Sequence, residues 1–265
     1  MGWKVVAPCL WALAAMSVAL ASGCRPRTGG LPLKVGKRAL TIPNDEYQLV
    51  VVPFAKVVND RHNDSTDLPQ AFSLRYGITD RLEIFNLTSL AYRVALHSNI
   101  QLRFHAGLKS TGQVVTTIYG YSGDPREQPF PEVHAYWGRA GLTARIDVGN
   151  DTTLLAAFEI DPYIIPDLDL QETGEVYSGA IVFDRLDWVS LALPVRVTNR
   201  VIQRGRNSTK EIVLGGFADL PTPVGMFAVH VHPQVDILVS PRLAYDANRL
   251  DVTLGGSFGI DWRWD

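Results

Sequence analysis

Residues 250–265 read LDVTLGGSFGIDWRWD. The even positions are Leu250, Val252, Leu254, Gly256, Phe258, Ile260, Trp262 and Trp264; the odd ones are Asp251, Thr253, Gly255, Ser257, Gly259, Asp261 and Arg263. A period of two with one oily and one polar face is the mark of a strand. The run is far longer than the roughly 5–6 residues of an ordinary strand. It suits a strand that crosses a membrane obliquely, which needs about 9–11 residues.

The same alternation recurs upstream, and helical periodicity is absent. Ile100, Leu102, Phe104, Ala106 and Leu108 oppose Gln101, Arg103, His105 and Lys109. Leu142, Ala144, Ile146 and Val148 oppose Thr143, Arg145 and Asp147. Phe227, Val229, Val231, Val235, Ile237 and Val239 oppose His230, His232, Gln234 and Asp236. Twelve strand-like segments follow: 46–58, 68–77, 81–96, 99–110, 112–122, 132–148, 152–163, 174–184, 187–203, 210–219, 225–240 and 248–264. Three features disturb the pattern. Segments 46–58 and 174–184 are oily on both faces, Asn86 and Thr88 interrupt the apolar face of 81–96, and Trp188 falls on the polar parity of its strand.

Connections between these segments alternate between tight and long, as expected when turns and loops lie on opposite sides of a barrel. Thr79-Asp80, Lys109 to Gly112, Gly149 to Asp151 and Asp184 to Asp187 are tight. Asn59 to Asp67, Gly123 to Pro131, Pro166 to Gly174 and Ser240 to Asn248 are long. The short connection at His97-Ser98 is the exception. An even strand count puts both chain ends on the short-turn side. Tyr76, Trp262 and Trp264 then sit near that side, and Tyr119, Tyr121, Tyr163 and Tyr177 near the other, as interface girdles would.

The first 23 residues read as an export signal: Lys4, an apolar run from Val5 to Ala21, then small residues. Residues 24–45, rich in Pro, Gly and basic side chains, read as a periplasmic leader, and 46–265 as the barrel domain. Cys24 is the only cysteine after the signal, which excludes internal disulfides and cysteine-based zinc sites. No later run approaches the roughly 18 apolar residues of a spanning helix, so a membrane-crossing chain of this composition must be a closed barrel. The net charge of −2 implies no nucleic-acid partner.

Three short stretches resemble known families. Ser257, Gly259, Trp262 and Trp264 match the closing segment of bacterial outer-membrane β-barrel proteins, where it is the assembly signal read by the barrel-assembly machinery. Asp265 departs from the pattern, since many members end on the aromatic. Leu74-Arg75-Tyr76-Gly77-Ile78-Thr79-Asp80-Arg81-Leu82-Glu83-Ile84 resembles a hairpin of a broad group of such barrels, which includes transporters associated with aromatic-compound degradation. Ala21-Ser22-Gly23-Cys24 resembles the lipobox of bacterial lipoproteins, with Ala21 where Leu is usual. The resemblance implies lipidation of Cys24; plain cleavage nearby with a free thiol is the alternative.

Candidate chemistry is sparse. Arg103, His105, Arg145, Asp147, Glu159, Asp161, Arg196, His230, His232, Asp236, Asp251, Asp261 and Arg263 fall on the parity expected to line the lumen. Both signs are present, so the lumen is either filled by ion pairs or a narrow polar pore. His230 and His232 share a face at i and i+2, which suits polar lining better than a metal site. His97 and Ser98 are adjacent on a strand, point opposite ways and are badly placed for proton transfer. No His-Glu-x-x-His motif or phosphate loop occurs, and the one Gly-x-Ser-x-Gly string, Gly255 to Gly259, lies within the alternating terminal strand rather than at a strand-to-helix elbow. Four Asn-x-Ser/Thr motifs, at Asn63, Asn86, Asn150 and Asn207, read as coincidence.

The expectation is an all-β chain: a closed antiparallel up-and-down transmembrane β-barrel of about twelve strands in the bacterial outer membrane. It would be no enzyme and would need no cofactor or metal. Its partners would be outer-membrane lipid, the assembly machinery and a small solute that the sequence does not specify. Its role would be that of a narrow channel or transporter, or a structural component. The alternative is a soluble periplasmic lipoprotein with a lipocalin-like or β-sandwich ligand-binding domain. Both barrels alternate; only the side on which the oil falls tells them apart.

Overall fold

The computed structural model describes residues 34–58, 71–115, 132–165, 170–202, 208–215, 226–248 and 250–264. After a short 3-10 turn, Val35–Lys37, the elements are β1 (Tyr47–Val58), β2 (Ala71–Gly77), β3 (Leu82–Phe85), β4 (Ser89–His97), β5 (Ile100–Val115), β6 (Glu132–Gly149) and β7 (Thr152–Ile165). They continue with β8 (Leu170–Phe183), β9 (Val189–Ile202), β10 (Ser208–Gly215), β11 (Phe227–His232), β12 (Val235–Asp246) and β13 (Asp251–Trp264). Neighbours pair antiparallel, and β13 pairs with both β12 and β1, so the sheet closes. β10 and β11 occupy a single strand position: β9 pairs with β11 up to Leu191 and with β10 from Val195. β12 likewise pairs with β11 up to Val239 and with β10 from Arg242. The thirteen described strands therefore make a twelve-position barrel.

The count agrees with the sequence reading, but some strands do not. Segment 81–96 is a hairpin, β3 and β4, folded at Asn86 (φ 51°) and Leu87 (φ 62°). Two successive positive φ values mark the tight turn that suits a right-twisted hairpin. Asn86 and Thr88 were interrupting a strand because they end it. This missing turn also removes the exception at His97-Ser98, since inserting it restores the alternation of sides. Asn150 (φ 50°) and Asp151 (φ 56°) form the same turn between β6 and β7, so at Asn86 and Asn150 the asparagine supplies turn geometry.

The expected turn at Lys109 to Gly112 is instead a register shift inside one continuous strand, β5. Expected strand 225–240 is split by a turn at Pro233-Gln234 into β11 and β12, and the expected loop from Ser240 to Asn248 is mostly β12, with the turn to β13 following Asp246. Pro241 lies where β12 has left β11 and not yet met β10, and Pro194 occupies the matching gap on β9. A proline without an N–H is tolerated where the ladder needs none. The loop expected over 166–174 shortens, because β8 begins at Leu170. Trp188 precedes β9, so strand parity does not apply to it, and it is 61% exposed. Cys24, Asn63, Asn207, Tyr119, Tyr121 and the loops at 59–67 and 123–131 lie outside the described residues.

The distribution of side chains is inverted relative to a soluble barrel. Phe104, Leu142, Ile181, Leu193, Leu254 and Phe258 are among the large apolar side chains exposed on the outer surface. Arg103, Glu159, Arg145, Asp236 and Asp261 are buried inside. At the end where Tyr47 faces Trp264 and Tyr76 across the ladders, here called the near end, aromatic rings form a cluster. Tyr47 lies 4.6 Å from Tyr76 and 5.5 Å from Trp264, and Trp262 lies 4.5 Å from Trp264.

Leu87 sits in the left-handed region, which costs a branched L-residue roughly 1–2 kcal/mol. It is 75% exposed and has little packing to lose. Replacing it by Gly should therefore stabilise the barrel by about 1 kcal/mol, read as a higher urea midpoint in detergent micelles.

Candidate functional site: the closed near mouth

Residues 34–46 precede the barrel in sequence, and the leader expected over 24–45 would leave them outside it. Instead they cross the near mouth from inside. Arg38, Leu40, Thr41 and Ile42 are each 1% exposed or less. This strap is not a strand, so its backbone groups cannot join the ladder, and buried backbone groups need partners. Wall side chains supply them. Val35 donates its N–H to Ser190 Oγ (3.1 Å) on β9, and Gly36 donates to Asp184 Oδ2 (2.8 Å). The Gly36 carbonyl accepts from Arg145 Nε (2.8 Å) and Thr153 Oγ1 (3.1 Å). Leu40 donates to Gln101 Oε1 (3.3 Å), and its carbonyl accepts from Arg75 (3.0 Å). Ile42 donates to Glu83 Oε2 (2.8 Å).

Side chains of the strap add charge contacts around the rim. Arg38 pairs with Asp236 on β12 and with Asp261 on β13 (3.0 Å). Lys37 pairs with Asp147 (2.8 Å), and Lys34 with Asp187 (3.4 Å) and Asp151 (3.6 Å). Thr41 donates to the Asp80 carbonyl (2.9 Å) and accepts from Arg93 (3.0 Å). Val35 and Leu40 rest on an apolar seat of Val50, Val52, Leu155, Val182, Ala192 and Leu238. This explains the two segments oily on both faces: β1 and β8 carry apolar side chains on the outer wall and also beneath the strap.

Close approach of backbones is built in at two glycines. A Cβ on Gly36 would lie 2.6 Å from Asp184 Oδ2, and one on Gly77 would lie 1.8 Å from the Pro43 carbonyl oxygen.

Behind the strap, Glu83 joins two strands and the strap at once. It accepts from Arg75 (2.7 and 3.0 Å), from Arg103 (2.6 and 3.0 Å) and from the Ile42 N–H. Farther in, His105 bonds Glu159 (2.7 Å), Arg139 lies 3.5 Å from Glu159, and Arg103 and Arg139 lie over the Phe85 ring at 4.8 and 5.3 Å. Toward the far end, Glu211 (37% exposed) faces Arg242 (2.9 Å) and Arg196 (3.9 Å).

The expected lumen residues are thus mostly inside. Arg103, His105, Arg145, Asp147, Glu159, Asp161, Arg196, His230, Asp236, Asp261 and Arg263 face the interior. His232 does not pair with His230 on that face. A register shift separates them, and His232 Nδ1 accepts the Gln234 N–H at the near-end turn. The side chain of Asp251 lies outside the described residues. Of the assembly-signal positions, Trp262 and Trp264 join the aromatic cluster, Gly259 is buried, and Ser257 donates to the Ser240 carbonyl (3.3 Å). Sequence reading missed the strap, Glu83 and Ser190. Only the cationic residues Lys34, Lys37 and Arg38, opposite so many interior acids, hinted at the first.

Ser190, His230 and Asp236 form a chain that looks like hydrolase machinery: Ser190 Oγ is 3.0 Å from His230 Nε2, and His230 Nδ1 is 2.7 Å from Asp236. Other contacts fill those roles. Ser190 donates its proton to Asp184 rather than to the imidazole, and its oxygen receives the Val35 N–H. Asp236 is already held by Arg38 and Arg263 (3.3 Å). An activated nucleophile needs its proton on the base and an open approach; here the strap fills the approach.

No family model and no curated protein matches this chain. Several solved structures share its outline. The chain is similar to outer-membrane expressed OmpT of Vibrio cholerae at 7% identity and TM-score 0.48, over 83% of this chain and 97% of that one. It is similar to the CymD monoaromatic hydrocarbon channel at 8% identity and TM-score 0.40, over 84% and 89%. It is similar to the NanC porin at 10% identity and TM-score 0.40, over 82% and 98%. None of these likenesses bears on what this chain binds or carries.

Glu83 is fully buried and balances two arginines. Breaking a buried pair by removing one partner costs about 3–5 kcal/mol. Glu83→Gln should lower unfolding stability in detergent by that amount. Glu211→Gln, in the half-exposed far-end group, should cost less than about 1 kcal/mol. Equal effects from the two substitutions would contradict the burial order described above.

Proposed function

We propose that this chain is a bacterial outer-membrane β-barrel that acts as a narrow channel for small hydrophilic solutes, closed at its near mouth by its own residues 34–46. The observation that carries the membrane assignment is the inversion. Leu142, Ile181, Leu193 and Leu254 face outward while Arg38, Glu83, Asp236 and Asp261 are buried inside. A soluble lipocalin-like or sandwich domain would bury the first set and expose the second. A continuous apolar outer wall of this extent in water would be a large exposed patch, which soluble monomers avoid. The aromatic cluster at the near end is what a membrane interface favours.

The channel assignment rests on the lining. Arg103, Arg139, His105 and Glu159, then Arg196, Glu211 and Arg242, place charged groups of both signs along the interior from behind the strap toward the far end. Such a lining suits hydrated ions and small polar solutes. The near end, which carries the strap and the start of β1, faces the periplasm in this reading. Cys24 then carries a lipid anchor in the inner leaflet of the outer membrane, and Ser257, Gly259, Trp262 and Trp264 serve as the signal for the barrel-assembly machinery.

Expression and fractionation test the first half. The protein should sediment with outer membranes, require detergent for extraction and change electrophoretic mobility on boiling; release without detergent would return the soluble reading. Planar-bilayer recording tests the second. The intact protein should show rare openings, and Gly36→Ala, whose Cβ collides with the strap's seat, should open at least tenfold more often. A folded Gly36→Ala barrel that never conducts would leave a structural membrane component instead.

A further inference from the structure

We propose that residues 34–46 are a releasable strap, held in the near mouth by charge, which swings out about Pro43–Asp45 when the carboxylates holding it take up protons. The proposal rests on the channel reading for its role as a gate. Three observations carry it.

The wall is complete without the strap. The ladders run from β1 round to β13 and back, and residues 34–44 pair with none of them. Ladder-like bonds appear only at the base, where Asp45 donates to the Gly77 carbonyl (2.9 Å) and Gly77 donates to the Glu46 carbonyl (3.0 Å). That base is a natural hinge, with Asp45 at φ 59°. Withdrawal would break no strand pairing.

Much of the hold is ionic and polar. The strap has three cations, Lys34, Lys37 and Arg38, and no acid before Asp45. Its apolar share in the mouth is Val35, Leu40 and Ile42. The acids that face it come from several walls: Asp147 from β6, Asp151 and Asp187 from the turns, Asp184 after β8, Asp236 from β12, Asp261 from β13 and Glu83 from β3. Asp80 also accepts from the Asn44 N–H.

The same layer also carries cations. Arg75 of β2, Arg93 of β4, Arg103 of β5, Arg145 of β6 and Arg263 of β13 surround these acids, with His230 of β11 between Ser190 and Asp236. With the carboxylates ionised, the strap's cations are matched. As the pH falls and carboxylates are protonated, the strap's three cations face five arginines with little between them. The direction is therefore fixed: docking is strongest when the acids are ionised and is lost toward acid.

The test uses the full chain in liposomes, with Leu40→Cys in a Cys24→Ser background. Leu40 is fully buried in the docked strap, so its replacement thiol reports release directly. At constant neutral pH, a membrane-impermeant maleimide should label it slowly. Adding Asp236→Asn with Asp261→Asn, which imitates protonation, should speed labelling at least tenfold. Boiling-dependent mobility confirms that each variant is folded. If the double Asn variant does not fold, Gly36→Ala takes its place, since it disturbs the strap's seat and leaves the ion pairs intact.

A second arm locks the strap. A Cβ on Gly36 would lie 2.9 Å from Thr153 Cβ, within reach of a disulfide after small adjustment. Gly36→Cys with Thr153→Cys should abolish acid-induced openings in planar bilayers, and reductant should restore them. Unchanged labelling in folded releasing variants would overturn the strap as a moving part. Fast labelling with no current at any pH would overturn the channel reading, and with it the gate, while leaving the release itself established.

Discussion

The pairing of β13 with β1 is the constraint on which the rest depends. Tyr47 meets Trp264, Leu49 meets Trp262 and Val51 meets Ile260, and the sheet has no edge left. Closure gives each described strand position a neighbour on both sides, and a sheet without a free edge is what can stand in lipid. Closure also creates an interior, and once the outer face is oily the interior must take the polar half of each strand. The charges inside are thus a consequence of the oil outside.

Buried charge needs a partner, and the partners here come from every side. Glu83 ties β2, β5 and the strap together; Asp236 ties β12 to the strap, to His230 and to Arg263. An irregular segment such as 34–46 could not survive in that interior unless its N–H and C=O groups were met, and they are met by Ser190, Asp184, Arg145, Thr153, Gln101, Arg75 and Glu83. The wall side chains that a lumen would present to water are instead shaped around one peptide. The triad-like chain through Ser190, His230 and Asp236 belongs to this docking and illustrates how catalytic geometry at two distances can arise from a structural need.

Much of the barrel was legible in the chain because strand parity is a local property. Residues 100–108, 142–148 and 250–264 sort into faces that the structure keeps. The errors fell where local pattern and three-dimensional pairing part company. Asn86-Leu87 turns the chain within an apolar stretch too short to show a break. Pro233 and Pro241 carry the same residue type, yet one is in a turn and the other in a strand, because a proline's cost depends on whether a neighbour asks for its N–H. The bulge after Leu108 looks like a turn because Lys109-Ser110-Thr111-Gly112 has turn composition, while its partner strand β6 runs on unbroken.

The sequence by itself determined that the chain alternates, that no run after the leader is long and apolar enough for a spanning helix, and which residues share a face. Those are matters of period and composition, which need no partner. Which face is the inside, and that residues 34–46 return to occupy it, was decided only by tertiary structure. Alternation is symmetric between inward and outward until the sheet closes, and the strap's binding groups are scattered from Arg75 to Asp261, adjacent only around a closed mouth. Arg38 shows the difference most plainly. In the sequence it is one basic residue in a polar leader; in the barrel it lies between two carboxylates more than 190 positions away.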